Sequence, residues 1–282
     1  MIDETVAQIS EMQTHSSSAV AVNAARALSE LLEREYMSVE EFERDLEQNA
    51  GILRRANTSH ASLHNVMREI ERSVVDKANS VDAAKTLTKE TIEQVVEDIE
   101  TGKREAASRA AELFGPDETF LTHDFSSTVL EAVETAAQGG SHITAYVTEA
   151  RPRFIGRRTA RMLAAMDRVE THLCVDSAAG HYLSKCDRVL VGMDCIVNET
   201  LHNRVGTFQI TTAANELGVP VVVVGSGVKI IDDGFVFENQ YRSGSEVMLE
   251  PIEEIILENP AYDATPLELV DYVVTDNGIR EY

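Results

Sequence analysis

The chain has 282 residues and a formal net charge of −23, from 48 acidic and 25 basic residues. A surface of that charge repels nucleic-acid backbone and anionic membranes, so direct binding to DNA, RNA or a lipid surface is not expected. There is no run of 18 apolar residues and no charged-then-apolar leader, which predicts a cytoplasmic protein without a membrane span.

The basic residues are unevenly divided, since six are lysine and the rest are arginine. Many carboxylates with few lysines are typical of a cytosol of high salt, where screening reduces self-repulsion, so we predict a halophilic protein. The three cysteines, Cys174, Cys186 and Cys195, lack the spacing of a zinc site. Reduced thiols and no bound metal are therefore expected.

Residues 1–115 are predicted to form a helical domain, because apolar residues recur there at helical spacing without an internal proline. One or two long helices are expected between residues 81 and 113. Earlier helix starts are marked by hydroxyl and amide side chains that can cap a helix. They are Ser16–Ser18, the capping box Ser38–Glu41 and Asn57–Ser59.

Residues 116–282 are predicted to form a Rossmann-like α/β domain. Short β-branched runs alternate there with helical segments, which is typical of a doubly wound, mostly parallel sheet. No GxGxxG fingerprint follows any strand, so a dinucleotide is not expected, and we predict no cofactor. The predicted strands are 119–122, 142–148, 172–175, 189–191, 219–224 and 270–275.

A polar side chain stands at or just past the carboxyl end of each predicted strand. In an open parallel sheet this edge is where ligands bind. Any one of these residues could simply cap a helix, but six together favour a single binding crevice. They are His123, Glu149, Asp176, Asp194, Ser226 and Thr275.

The segment 187–207 has the most specific pattern in the chain. A buried strand ends at Gly192, Asp194 follows, and Asn203–Thr207 opens a helix with a glycine and a hydroxyl. N–H groups at a helix N-terminus attract anions, and Arg204 adds a positive charge beside them. The segment therefore offers a carboxylate and a phosphate cradle. The alternative is an ordinary βα turn capped by the aspartate.

Gly192-Met-Asp194 and Asn203-Arg-Val-Gly-Thr207 resemble the Gly-Ala-Asp/Glu and Asn-Lys-x-Gly-Thr motifs of one superfamily. It joins the alpha, beta and delta subunits of translation initiation factor 2B to two isomerases, which act on methylthioribose-1-phosphate and ribose-1,5-bisphosphate. Further matches are Thr122-His-Asp-Phe-Ser126, Thr148-Glu-Ala-Arg-Pro152, Val175–Ala179 and Asn259–Pro266. Membership implies a pocket for a phosphorylated sugar or nucleotide, with candidate ligand-binding residues Arg204, Gly206, Thr207, Asn203, His123, Ser126, Glu149 and Arg151.

The chain departs from the isomerases at three motif positions. Those enzymes have a cysteine after Thr-His, which works with the aspartate of the Gly-Ala-Asp loop, whereas this chain has Asp124. Their Arg-Gly-Ala and Arg-Pro-Thr turns help hold phosphate, and here His15–Ser17 and Asn57–Ser59 replace them. Ser17 and Ser59 remain ligand candidates, but a hydroxyl lacks the charged, forked contact of arginine.

Two functions remain open from these residues. The departures favour a regulatory subunit similar to those of initiation factor 2B, with a degenerate sugar- or nucleotide-phosphate pocket that binds without turnover. The alternative is a ribose-1,5-bisphosphate isomerase-like enzyme in which Asp124 and Asp194 form the catalytic acid–base pair, since two nearby carboxylates can share one proton. Further expected partners are copies of the chain itself, in a homodimer or larger homo-oligomer, and initiation factor 2.

Overall fold

The computed structural model describes residues 2–10, 16–231, 235–250 and 252–282. Contacts between residues divide the chain into two compact units. The first comprises Met1–Thr101 with Val228–Phe237, and the second comprises Gly102–Gly227 with Glu238–Tyr282. The boundary expected between residues 115 and 116, where helix gives way to strand, stays a prediction.

In the first unit, two of the three predicted helix starts are capped by a serine, whereas the helix after Asn57–Ser59 starts behind His60 without a side-chain cap. The hydroxyls of Ser16 and Ser38 accept hydrogen bonds from the N–H groups of Ala19 and Glu41. The helix that begins at Ser17 ends at Ala27, and a 3-10 helix, Leu28–Glu33, follows it directly. The helices are α1 (Ile2–Ser10), α2 (Ser17–Ala27), α3 (Val39–Arg55), α4 (Ala61–Val74) and α5 (Val81–Ala111), of which α5 belongs to the second unit from Gly102 onward.

The described helices include none that is both long and apolar enough to cross a bilayer. After α5 the helices and strands alternate as expected for an α/β unit, except that the short strand Ile230–Ile231 belongs to the first unit. In chain order they are β1 (Asp117–Thr122), α6 (Ser127–Gln138), β2 (His142–Thr148), α7 (Gly156–Leu163), β3 (Val169–Cys174), α8 (Ala179–Leu183), β4 (Arg188–Gly192), β5 (Cys195–Val197), β6 (Thr200–Arg204), α9 (Thr207–Leu217), β7 (Val221–Val224), β8 (Ile230–Ile231), β9 (Tyr262–Pro266), β10 (Tyr272–Thr275) and β11 (Gly278–Glu281).

The main sheet of the second unit has the order β11-β10-β7-β4-β1-β2-β3. Its neighbouring strands pair in parallel except for the β10–β11 hairpin, so the predicted fold class is confirmed. The chain moves outward from β1 to β3 and then returns to β4 on the other side of β1. The order therefore reverses between β1 and β4, and the residues that follow these two strands meet at the crevice where such folds bind ligands.

An antiparallel ribbon of β5, β6 and β9 was not expected from the sequence. In it, Arg204 at the end of β6 pairs with Tyr262 at the start of β9. The segment 203–207 was expected to open a helix, but its first two residues are strand, and α9 begins only at Thr207. Strands of three to five residues show too few alternations to be recognised by period.

Candidate functional site

Arg204 lies between the two carboxylates that follow β1 and β4. Its Nε is 3.2 Å from Asp124 Oδ2 and 3.8 Å from Asp194 Oδ2. All three residues are buried, and the guanidinium carbon lies 4.7 Å from the centroid of the Tyr262 ring. The isomerase alternative pairs these two carboxylates directly with each other. The structure instead places a cation between them.

The surroundings of Arg204 favour the charged form of its guanidinium. Burial alone disfavours a charged guanidinium, but Tyr262, Asp194 and Asp124 outweigh that effect, and the pKa of Arg204 is raised above its ordinary value. Its Nη1 is buried and makes no hydrogen bond to any residue that the structure describes. Because a buried donor without a partner is costly, this N–H is suited to an oxygen atom of a ligand.

His123 is fixed by the protein through both ring nitrogens. Its Nε2 lies 2.8 Å from the carbonyl oxygen of Val205, and its Nδ1 lies 2.6 Å from Thr148 Oγ1. A carbonyl oxygen only accepts, so Nε2 carries a proton, and in the neutral ring Nδ1 accepts from the threonine hydroxyl. The histidine predicted to contact ligand therefore anchors the loop that carries Arg204.

The amino end of α9, predicted as a phosphate cradle, is occupied by Asp263. The N–H groups of Gly206 and Phe208 donate to Asp263 Oδ2 at 2.7 and 3.0 Å. Nearby, the amide of Asn203 donates to Thr207 Oγ1 at 3.2 Å. The hydroxyl of Thr207 in turn donates to the Arg204 carbonyl oxygen at 2.7 Å. The protein's own carboxylate thus satisfies the helix end, and these residues set the position of Arg204.

Gly206 is required by both its conformation and its surroundings. Its φ is +109°, and an added Cβ would lie 2.8 Å from His123 Nε2. We expect Gly206→Ala to lower the free energy of unfolding by about 2–4 kcal/mol, from backbone strain and overpacking together. Urea unfolding measures the loss. Gly180→Ala is the matched control, since its added Cβ meets no described atom within 4 Å. Equal midpoints for the two variants would contradict the prediction.

The other residues predicted in the second unit hold its loops together. Ser126 caps α6 by accepting from the N–H of Val129, and Glu149 Oε2 accepts from Arg157 Nη2 at 2.8 Å. Arg151 donates its backbone N–H to an oxygen of Asp176 at 2.7 Å. Of these, Arg151 also lines the cleft described below.

Ser17 and Ser59 lie in the first unit. The carbonyl oxygen of Ser17, at the start of α2, accepts from Ser62 Oγ at 3.1 Å, so the starts of α2 and α4 meet. Ser59 Oγ donates to Asn57 Oδ1 at 2.7 Å. His15 lies outside the described residues. Ligand binding by the two serines stays a prediction.

A cleft beside Arg204 concentrates positive charge in an otherwise acidic chain. Its empty volume is about 310 Å³, counting the open mouth. Four arginines line it, together with Asp124 and His123: Arg151, Arg153, Arg204 and Arg242. Such a cluster attracts anions. Arg151 and Arg204 lie in motifs and were predicted from the sequence, whereas Arg153 and Arg242 were not. Arg242 lies in a long irregular segment that contains no motif.

Cys195, next to Asp194, does not replace the cysteine that the resembling isomerases have at the position of Asp124. Cys195 is buried, and burial, followed by the charge of Asp194, raises the pKa of its thiol to about 12. It therefore stays protonated and unreactive near neutral pH. Within the described ranges, no three His, Cys, Asp or Glu side chains are grouped so as to hold a metal ion.

Comparison with known proteins gives consistent matches along the chain. A family model described as the initiation factor 2 subunit family matches residues 13–281. The chain is 31% identical to ribose 1,5-bisphosphate isomerase of Haloterrigena turkmenica, over 97% of this chain and 88% of that one. It is 29% identical to the protein of the same name from Haloferax volcanii, over 98% and 88%. The solved translation initiation factor eIF-2B of Pyrococcus horikoshii matches its fold with a TM-score of 0.85 at 24% identity, over 99% and 96%.

Proposed function

Because the chain belongs to the initiation factor 2 subunit family, we propose that it is a sugar-phosphate isomerase that interconverts the aldose and ketose forms of a phosphorylated pentose. Relatives named ribose 1,5-bisphosphate isomerase, between 28% and 31% identical over nearly the whole chain, support this activity. They favour the enzyme alternative over the regulatory-subunit interpretation that the sequence departures had suggested.

The observation that carries the proposal is the group of Asp124, Arg204 and Asp194 at the switch point of the sheet. Aldose–ketose conversion moves a proton between neighbouring carbons, so it needs a base and a group that stabilises the developing oxyanion. A carboxylate is a competent base for this step, as in triosephosphate isomerase.

Asp194 donates a proton to the ring oxygen as the C1–O4 bond breaks, and Asp124 takes the proton from C2, which leaves an enol between C1 and C2. Asp194 then accepts the proton of the C2 hydroxyl while Asp124 returns its proton to C1, and the Nη1 of Arg204 stabilises the negative charge that develops on the C2 oxygen.

A second candidate is binding without turnover, which one contact favours. Asp124 stands where the resembling isomerases have a cysteine, and its Oδ2 is 3.2 Å from Arg204 Nε. A carboxylate held in a buried ion pair is a weaker base than one that is unpaired, because abstraction of a proton would discharge the pair. In this candidate function the pocket still binds a phosphorylated sugar but does not isomerise it.

The deciding experiment uses the purified chain in molar potassium chloride. We expect ribose-1,5-bisphosphate to yield ribulose-1,5-bisphosphate at a steady rate, and the melting temperature to rise with ligand concentration by mass action. Stabilisation without any ketose product would overturn the isomerase proposal and support binding without turnover. No product and no stabilisation would overturn both.

A further inference from the structure

We propose that Thr159 is a positioning residue for Asp124, because its hydroxyl holds the backbone of Asp124 in the conformation that places the carboxylate beside Arg204. This role rests on the function proposed above, in which Asp124 takes the proton from C2 of the substrate. Thr159 does not line the cleft, so it acts on the reaction only through that carboxylate.

The backbone of Asp124 has a conformation that surrounding contacts must support. Its φ is 63°, in the left-handed region, which costs free energy for a residue that has a side chain. Such a conformation persists only where neighbouring groups fix it. Because the Cα–Cβ bond turns with φ, a return to an ordinary φ would move the carboxylate away from Arg204, whose Nε now lies 3.2 Å from Asp124 Oδ2.

The contact that fixes this backbone comes from α7. Thr159 Oγ1 donates to the carbonyl oxygen of Asp124 at 2.6 Å. Both residues are buried, so water competes poorly for this hydrogen bond. The preceding residue of α7 adds a second contact, since the guanidinium carbon of Arg158 lies 4.3 Å from the centroid of the Phe125 ring. Two successive residues of the helix thus hold two successive residues of the turn between β1 and α6.

The hydroxyl of Thr159 departs from the pattern of other helix threonines in this chain. Threonine in a helix often donates to the carbonyl oxygen four residues earlier. The threonines that do so are Thr86, Thr88, Thr91, Thr135 and Thr212. For Thr159 that carbonyl belongs to Ile155, yet the hydroxyl donates to Asp124 instead. The side chain therefore serves the turn and not its own helix.

The helix that carries Thr159 is held firmly against the sheet. Gly156, its first residue, lies so close to the end of β2 that an added Cβ would collide with the Thr148 carbonyl oxygen. Ala160 and Leu163, on either side of the next turn, are buried in the core of the second unit. Because a close-packed core yields little, α7 provides a rigid support for the hydroxyl.

The test compares Thr159→Val and Thr159→Ser with the wild type. Valine keeps the branched shape without the hydroxyl, whereas serine keeps the hydroxyl. We expect Thr159→Val to lower kcat for ribose-1,5-bisphosphate roughly tenfold to hundredfold, with KM within about threefold, because the base is displaced while the pocket is retained. Thr159→Ser should keep most of the wild-type kcat.

Thr88→Val is the matched control. Thr88 is also buried in a helix, and its hydroxyl donates to the Ala84 carbonyl oxygen at 2.8 Å, but it belongs to the first unit. This control should leave kcat unchanged. If valine at position 159 prevents folding, Thr159→Ala takes its place and should show the same loss of kcat.

A second comparison separates positioning from a general loss of structure. In an Asp124→Asn background the base is absent, so adding Thr159→Val should lower the residual kcat by less than about twofold. A merely structural role of Thr159 would lower kcat by the same factor in both backgrounds.

Different results separate this inference from the proposed function. Wild-type kcat in Thr159→Val, a rise in KM at constant kcat, a serine variant as slow as the valine variant, or equal losses in the two backgrounds would each overturn the role of Thr159 and leave the isomerase proposal in place. A wild type that shows no turnover would overturn both.

Discussion

Asparagine in place of Asp124 or of Asp194 is expected to lower kcat for ribose-1,5-bisphosphate by roughly 10²–10⁴-fold while KM changes little. The amide has nearly the same shape as the carboxylate, but it cannot take up the proton that the reaction moves. Asparagine also suits the backbone at position 124, where φ is 63°, since it adopts this left-handed conformation readily.

Initial rates of ketose formation measure the loss in each variant. Asp167→Asn is the matched control, because it removes the same charge from an exposed position just after the end of α7. Wild-type kcat in both site variants would show that neither carboxylate takes part in proton transfer. Loss in only one of them would assign the proton transfer to that carboxylate.

Methionine in place of Arg204 is expected to lower the free energy of unfolding by about 3–5 kcal/mol, because it leaves two buried carboxylates close together without their cation. Both aspartates are 8% exposed, so water screens them poorly. The double variant Arg204→Met with Asp124→Asn removes one of the two charges and should recover a large part of that stability.

Urea unfolding at constant salt gives the free energies for the single variants and the double variant. Exposed Arg161→Met is the control for removing an arginine from the surface, and it should change stability by less than about 0.5 kcal/mol. An Arg204→Met variant as stable as this control would mean that the guanidinium does not hold the two carboxylates. No recovery in the double variant would locate the loss in packing against Tyr262 instead.

The amino-acid sequence by itself determined the class of the fold and the family. Buried β-branched runs such as Val221–Val224, and hydroxyl caps such as Ser16, Ser38 and Ser126, act over a few residues, so their period and spacing can be read directly. Parallel strands also place the residues after them on one edge by geometry alone. It could therefore be predicted from the sequence alone that Asp124 and Asp194 lie in the same crevice.

Only the tertiary structure decided what surrounds those carboxylates. Arg204 stands between them because β6 pairs with β9, which places it against Tyr262, and Asp263 from the same strand closes the helix end that was expected to bind phosphate. A hydrogen bond from the backbone N–H of Arg242 to the carbonyl oxygen of Asn259 positions Arg242 in the wall of the cleft. These contacts join residues far apart in the chain. Local periodicity carries no signal of such pairing, because it depends on which distant surfaces are buried together.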